Sequence, residues 1–242
     1  MNCKQNLIFI LSLVYWPVLR LSIRDTRQCF TPPVPCDTIK EKSFQSAQRG
    51  YSHEFAIIGA GGTGGVLGGY LAHAGNDVTF LARGRHLQAM QENGLLIRTN
   101  HRGDIRIPKV KACTMDEYLQ AKETPDVLFV CVKYYSLPDA IEFARHAAGK
   151  ETLIIPILNV FGSGAVMQEK LPGLTALDGC IYVFAKIAEP GVIAQPQSIL
   201  RVFYGFRPGQ SQELRERLGS LRPSCARLTS MHISPTRSSA MP

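Results

Sequence analysis

The sequence lacks several features that would point directly to a chemistry. Its seven cysteines, Cys3, Cys29, Cys36, Cys113, Cys131, Cys180 and Cys225, are odd in number and include no C-x-x-C pair. Neither a zinc site nor a disulfide framework is signalled, so no metal is expected. A reducing compartment suits such thiols, and the cytoplasm is the expected location. Cys131 and Cys180 lie in apolar, strand-like runs and are expected to be buried. The apolar stretch Leu7–Leu19 has the outline of a signal-peptide core behind Lys4, but it is too short to span a bilayer comfortably. Arg20, Arg24 and Arg27 follow it without a small-x-small cleavage site, so no membrane partner is expected.

Acidic residues are scarce only at the ends. The chain of 242 residues carries a formal net charge of +8. Residues 1–50 hold seven Lys/Arg against three Asp/Glu, and 222–242 hold three Arg and no acid, whereas 51–221 balance 17 bases against 16 acids. The basicity therefore belongs to the termini, and no nucleic-acid face is implied for the middle. Residues 28–52, with Pro32, Pro33 and Pro35, show no periodicity and read as a linker. The expected organisation is a leader and linker without order over 1–53, one α/β domain over 54–221, and a disordered tail over 222–242.

Within the middle, strand and helix patterns alternate. Phe55–Ile58, Asp77–Ala82, Asp126–Val132 and Thr152–Pro156 are short apolar runs of the kind that parallel strands buried on both faces produce. Helices are expected over Val66–Ala74, closed by Gly75 and Asn76, and over His86–Asn93, closed by Gly94. Further helices are expected from a capping box at Thr114–Glu117, over Ser136–His146 and over Ser163–Leu171. Leu95–Thr99 and Asp104–Ile107 read as a hairpin. Thr175–Phe184, Val192–Ala194 and Ile199–Tyr204 look strand-like, and a polar helix is expected over Ser211–Leu221. This alternation predicts a Rossmann-type, doubly wound, mostly parallel sheet.

The first strand runs into Gly59-Ala60-Gly61-Gly62-Thr63-Gly64, a G-x-G-x-x-G turn followed by a helix and a second strand. In that context Gly59 permits the tight turn, Gly61 lets the backbone approach a pyrophosphate, and Gly64 lets helix and strand pack closely. The helix start adds free N–H groups and a positive dipole for the phosphates. Gly65, Gly68 and Gly69 each cost a helix about 1 kcal/mol against alanine, which implies tight packing on the sheet. At the end of the second strand an acid would bond a ribose 2′-hydroxyl, and an arginine would accommodate a 2′-phosphate. Here the sequence reads Leu81-Ala82-Arg83-Gly84-Arg85 without an acid. Arg83, with Arg85 as substitute, makes NADP the expected cofactor.

Five segments in this order resemble the ketopantoate reductase family (2-dehydropantoate 2-reductases). They are Ile57–Gly65, Asp77–Gly84, Val130–Lys133, Pro156–Asn159 with Gly162, and Ala185–Val192, and together they span about residues 54–207. The resemblance implies NADPH-dependent reduction of a small 2-keto acid, 2-dehydropantoate (ketopantoate) to pantoate, in pantothenate biosynthesis. It implies catalytic roles for Lys133, beside the nicotinamide ribose, and for Asn159, in contact with both cofactor and substrate. Ala185 would offer only backbone near the cofactor. Strand ends suit both side chains, because open α/β sheets bind ligands there and a lysine attracts an anionic keto acid.

Two departures stand out. The family usually has glycine after the loop asparagine, where this chain has Val160-Phe161. The family's helical C-terminal domain, which supplies a general-acid lysine, has no counterpart in the sequence, and no lysine follows Lys186. A positioned acid contributes ~10²–10⁴-fold to such a reduction. Three readings stay open: a 2-keto acid reductase, a non-catalytic NADP-binding module, and a truncated gene product, which could associate into a homo-oligomer.

Overall fold

The computed structural model describes residues 53–101, 103–205 and 210, with the backbone of 234–235. The expected leader, the Ser211–Leu221 helix and most of the tail lie outside the described residues.

A six-stranded parallel sheet forms the centre. Its strands are β1 (Glu54–Ile58), β2 (Asp77–Leu81), β5 (Lys111–Cys113), β6 (Val127–Val130), β7 (Leu153–Pro156) and β8 (Thr175–Ala176). They lie in the order β5-β2-β1-β6-β7-β8, so the chain winds outward in both directions from the β1/β6 junction. That is the strand order of a dinucleotide-binding sheet, with its crevice at the junction.

Alternation along the strands divides the core into two layers. Phe55 and Ile57 of β1, Val127 and Phe129 of β6, and Leu153 and Ile155 of β7 face one side. Ala56 and Ile58, Leu128 and Val130, and Ile154 face the other. There they meet α3 (Met115–Ala121), α4 (Leu137–Ala147) and α5 (Ser163–Lys170) through Tyr118, Phe143 and Met167. Covering both faces explains why these strands read as unbroken apolar runs. A fully buried Phe80 or Ile57 contributes about 1.5–3 kcal/mol.

The first layer holds helix α1 (Gly62–His73) and a second sheet. The hairpin β3 (Leu95–Thr99) and β4 (Ile105–Ile107) joins β10 (Lys186–Glu189) and β11 (Val192–Gln195) in the order β10-β11-β3-β4. Helix α1 lies between the two sheets, and Gly64–Leu71 are all buried. Its glycines mark the two contacts. A Cβ at Gly68 would come within 2.5 Å of Phe80 Cε1 of the parallel sheet, whereas one at Gly69 would come within 2.6 Å of Ile97 Cδ1 of the second. At Gly65 it would strike Ile193 Cδ1. The glycine-rich helix is thus required by two packing surfaces rather than one. Tyr70 adds a buried hydrogen bond, donating its hydroxyl to Gln195 Oε1 at 3.0 Å.

Several boundaries differ from the sequence expectation. Helix α1 begins at Gly62, four residues before Val66, because a glycine run hides the periodicity. Helix α2 (Gly84–Asn93) begins two residues before His86. The single strand expected over Thr175–Phe184 is two. β8 closes the parallel sheet, while β9 (Asp178–Val183) pairs antiparallel with β12 (Leu200–Gly205) and belongs to another sheet, with β13 (Ser234–Pro235) at the far side of β12. Cys180 on β9 is consequently exposed rather than buried. Cys131 is half-buried, and burial pushes its thiol up to about 12. Strand β5 carries no alternation signal in three residues. Lys111 marks it as an edge, held to β2 by an ion pair with Asp77 at 2.6 Å. The capping box is present as expected: Thr114 Oγ1 accepts from the Glu117 amide at 3.2 Å, and Glu117 Oε2 accepts from the Thr114 amide at 2.8 Å.

Candidate functional site

The turn after β1 is built by backbone. The Gly59 and Ala60 amides both donate to the Leu81 carbonyl, at 3.1 and 3.3 Å, extending the β1–β2 pairing one step past Ile58. Gly59 then takes φ +88°, and a Cβ there would stand 2.8 Å from the Cys131 carbonyl oxygen. Only glycine meets both demands. A Cβ at Gly64 would strike the Gly59 carbonyl, so the turn closes onto its own helix. Gly61 is different, because nothing lies within 4 Å of where its Cβ would be.

Helix α1 starts without a side-chain cap and without an acid in its first turn. Its first amides are therefore left to solvent or a ligand, at the positive end of a 12-residue dipole. A cradle with one open glycine and an uncapped helix start fits a dinucleotide pyrophosphate.

Arg83 lies two residues past the end of β2 as the N-cap residue of α2, with extended backbone. Arg83 and Arg85 are exposed, and among the described residues no ion pair holds either. Both guanidinium groups are left available to an anionic group at this edge of the cradle.

Lys133 and Asn159 come from neighbouring strands. The register pairs Val130 with Pro156, and the Ile157 amide donates to the Val130 carbonyl at 2.8 Å. Lys133 and Asn159 each lie three residues beyond that pair, at the carboxyl edge of the sheet. Both are exposed. Lys133 begins a 3₁₀ turn, Tyr134–Ser136, by accepting the Ser136 amide at 2.9 Å. Around them Tyr134, Tyr135, Val160 and Phe161 are also exposed, Tyr135 at 80% and Phe161 at 84%. Ala185 belongs to the cradle rather than to this edge, since its carbonyl would be struck by a Cβ at Gly62. Thr63 is half-buried in the first turn of α1, between Gly62 and Gly64.

Two features of the site were not read from the sequence. Ala185 was expected near the cofactor from the family resemblance, but its way of arriving, on the chain that leads into the second sheet and against Gly62, was not. His86 also reaches the turn, its Nε2 lying 2.9 Å from the Ala60 carbonyl oxygen. Position alone, three residues after Arg83, could have nominated it. No group of three or more His, Cys, Asp or Glu among the described residues is arranged to hold a metal ion. No described helix is long and apolar enough to cross a membrane.

Comparison with known proteins agrees with this architecture. The family model for Ketopantoate reductase PanE/ApbA matches residues 55–206. An uncharacterized oxidoreductase, YkpB, of Bacillus subtilis is 30% identical over 162 residues, which are 66% of this chain and 51% of that protein. A 2-dehydropantoate 2-reductase of Pyrococcus horikoshii is 31% identical over 143 residues, 57% of this chain and 42% of that protein. The chain thus spans about half the length of the curated relatives it matches. Among solved structures, a 2-dehydropantoate 2-reductase of Porphyromonas gingivalis superposes with a TM-score of 0.67 at 24% identity, covering 78% of this chain and 66% of that one. A D-mandelate dehydrogenase solved with NADH and anilino(oxo)acetate gives a TM-score of 0.62 at 21% identity, covering 75% and 56%. These two likenesses speak for the fold. The matched family model spans the parallel sheet, the glycine turn and the second sheet alike, and the chain belongs to the ketopantoate reductase family.

Proposed function

We propose that this chain binds NADP(H) in the β1–α1 cradle and serves the reduction of a small 2-keto acid, with 2-dehydropantoate as the substrate. Family membership supports a nicotinamide dinucleotide as the cofactor. The observation that carries the choice of NADP is Arg83, two residues past the end of β2, where a 2′-phosphate would arrive and where the sequence offers no acid. Gly59–Gly64 would hold the pyrophosphate on backbone amides, with Ala185 closing the cradle from the second sheet.

NADPH held in the cradle would supply the hydride for the keto carbon, with the alkoxide oxygen taking its proton from water. The chain's own residues at the carboxyl edge would bind and orient the substrate. Lys133 offers a point charge to an anionic substrate, and Asn159 offers an amide that can both donate and accept. Their exposed positions on the loops that follow adjacent strands suit a ligand arriving from outside the sheet.

Two measurements test this reading. Fluorescence titration should show NADPH binding to the full chain, and NADPH oxidation should then rise with added ketopantoate. Binding without oxidation would support a non-catalytic NADP-binding module instead. Replacement of Arg83 by alanine should weaken NADPH by about tenfold to a hundredfold, the worth of a charged hydrogen bond, and leave NADH little changed. Equal losses for the two cofactors would refute the 2′-phosphate assignment.

A further inference from the structure

His86 connects parts of the site that are distant in sequence. It stands in the first turns of α2, half-buried, and both ring nitrogens are engaged. Nε2 lies 2.9 Å from the Ala60 carbonyl oxygen of the glycine turn. Nδ1 lies 3.0 Å from the Gly191 amide, in the turn between β10 and β11. These partners fix the proton. An amide can only donate, so Nδ1 carries the lone pair; a carbonyl can only accept, so Nε2 carries the hydrogen. The ring is the neutral Nε2–H tautomer. Burial lowers its pKa below 6.5, more than the Ala60 carbonyl raises it.

The bond to Ala60 has a consequence one atom further on. The chain has no cis peptide among its described residues, so the C=O and N–H of the Ala60–Gly61 peptide point in opposite directions. Holding the carbonyl on His86 therefore turns the Gly61 N–H away from α2. No backbone hydrogen bond among the described residues takes up that N–H, and no atom lies near the Gly61 Cβ position. On its other side the ring holds the β10–β11 turn. Gly191 packs there against Ala89 of α2, and β10 begins beside Ala185, whose carbonyl abuts Gly62.

We propose that His86 is a positioning residue of the dinucleotide site: as a neutral imidazole it sets the Gly61 amide for a pyrophosphate and pins the second sheet beside the cradle, so cofactor affinity falls when the ring is protonated. This rests on the NADP reading above. A proton on Nδ1 would face the Gly191 N–H donor to donor and release the turn. The charged groups on the elements around the ring are Arg83, Arg85 and Glu92 on its own segment, and Lys186 and Glu189 on β10. The glycine turn has none. Glu189 is itself held by Arg98 at 3.0 Å, and exposed Glu92, six residues along α2, accepts from Gln88 at 3.0 Å, so each carboxylate has a partner other than the ring.

The test uses the full chain with His86→Gln and His86→Ala, titrating NADPH from pH 8 to pH 5.5. Glutamine can donate to Ala60 and accept from Gly191 but does not titrate. At pH 8 the Gln variant should bind within about threefold of the parent, and the Ala variant about tenfold more weakly, the worth of its two lost hydrogen bonds. The parent should lose more affinity than the Gln variant on acidification, by less than about tenfold at pH 5.5 because burial holds the ring's pKa below 6.5. That difference excludes titration of the cofactor's own phosphate, whose pKa near ~6 affects both proteins equally. Equal pH slopes would overturn the proposal. So would affinity that rises on acidification in the parent alone, which would make His86 a direct phosphate ligand.

A second readout needs no cofactor and no Ala variant. In ¹⁵N NMR spectra of the free protein, His86 should show the Nε2–H tautomer, and the Gly61 and Gly191 amides should shift as it titrates, in the parent but not in the Gln variant. Amides that ignore the titration contradict the proposal, even if the protein binds NADPH. Amides that follow it, in a protein that binds no NADPH, support the clamp while refuting the cofactor reading.

Discussion

The cradle at Gly59–Gly64 and the edge at Lys133 and Asn159 belong to one sheet but are built in different ways. The cradle is made of backbone, with half-buried and buried residues closed in by β2, β6 and Ala185. The edge is made of side chains, and Lys133, Tyr134, Tyr135, Asn159, Val160 and Phe161 all stand exposed on two loops. A backbone site is fixed by the fold that makes it, because moving an amide means moving a strand. A side-chain site needs neighbours to hold its rotamers. The difference teaches that the proposed cofactor site is organised within these residues, while the proposed substrate edge keeps side-chain freedom that a ligand would have to remove on binding.

The largest expected effect breaks the cradle itself. In Gly64→Val the added carbons meet the Gly59 carbonyl, a backbone atom that cannot rotate away. Overpacking usually costs 1–3 kcal/mol, so a rigid obstacle should cost about 3 kcal/mol or more in urea unfolding. Gly61→Ala is the contrasting case. Its Cβ meets nothing and its φ of −74° suits alanine, so stability should change by about 1 kcal/mol at most. NADPH binding should nonetheless weaken by about tenfold or more, since the methyl occupies the approach of the pyrophosphate. If Gly61→Ala leaves affinity intact, the ligand is not where the cradle opens.

A smaller effect is expected at the rim of the parallel sheet. The hydrogen bond and charge of Asp77 raise the Lys111 pKa above 10.5. A raised lysine stabilises fully below the unfolded value and loses that contribution as pH climbs through the folded one. Because Lys111 is largely exposed, solvent screening limits the pair to about 0–1 kcal/mol. Lys111→Met should cost no more than that at pH 7, and the difference from the parent should shrink above pH 10.5. A difference that grows instead would contradict the assignment.

The smallest effect belongs to the exposed edge. Tyr135→Ser and Phe161→Ser remove side chains that touch little, and each should shift stability by within about 0.5 kcal/mol. A large loss at either would mean that the edge is as firmly built as the cradle, and the comparison would fail.

How much could be read in the sequence follows the same division. The turn was legible because sterics leave one residue type at Gly59 and Gly64, so the letters carry the geometry. The parallel strands were legible because burial on both faces removes polar residues from Phe55–Ile58 and Val127–Val130. Helix α1 was misread at its start for a related reason. A helix packed between two sheets has no polar face, and without one its periodicity vanishes. The break at Leu177 was hidden because β8 and β9 are separated by that one residue while entering different sheets, and only Asp178-Gly179 marks the change. His86 carried only a positional signal, three residues after Arg83, since its partners Ala60 and Gly191 lie 26 and 105 residues away and offer only backbone.

The central claim is that the cradle between β1 and α1 receives NADP(H). Amide NMR of the full chain during an NADPH titration tests it most directly. The account predicts saturable shifts that are largest at Gly61, Gly62, Thr63 and Arg83 and small across β9 and β12. No shifts, or shifts concentrated away from the glycine turn, would contradict it.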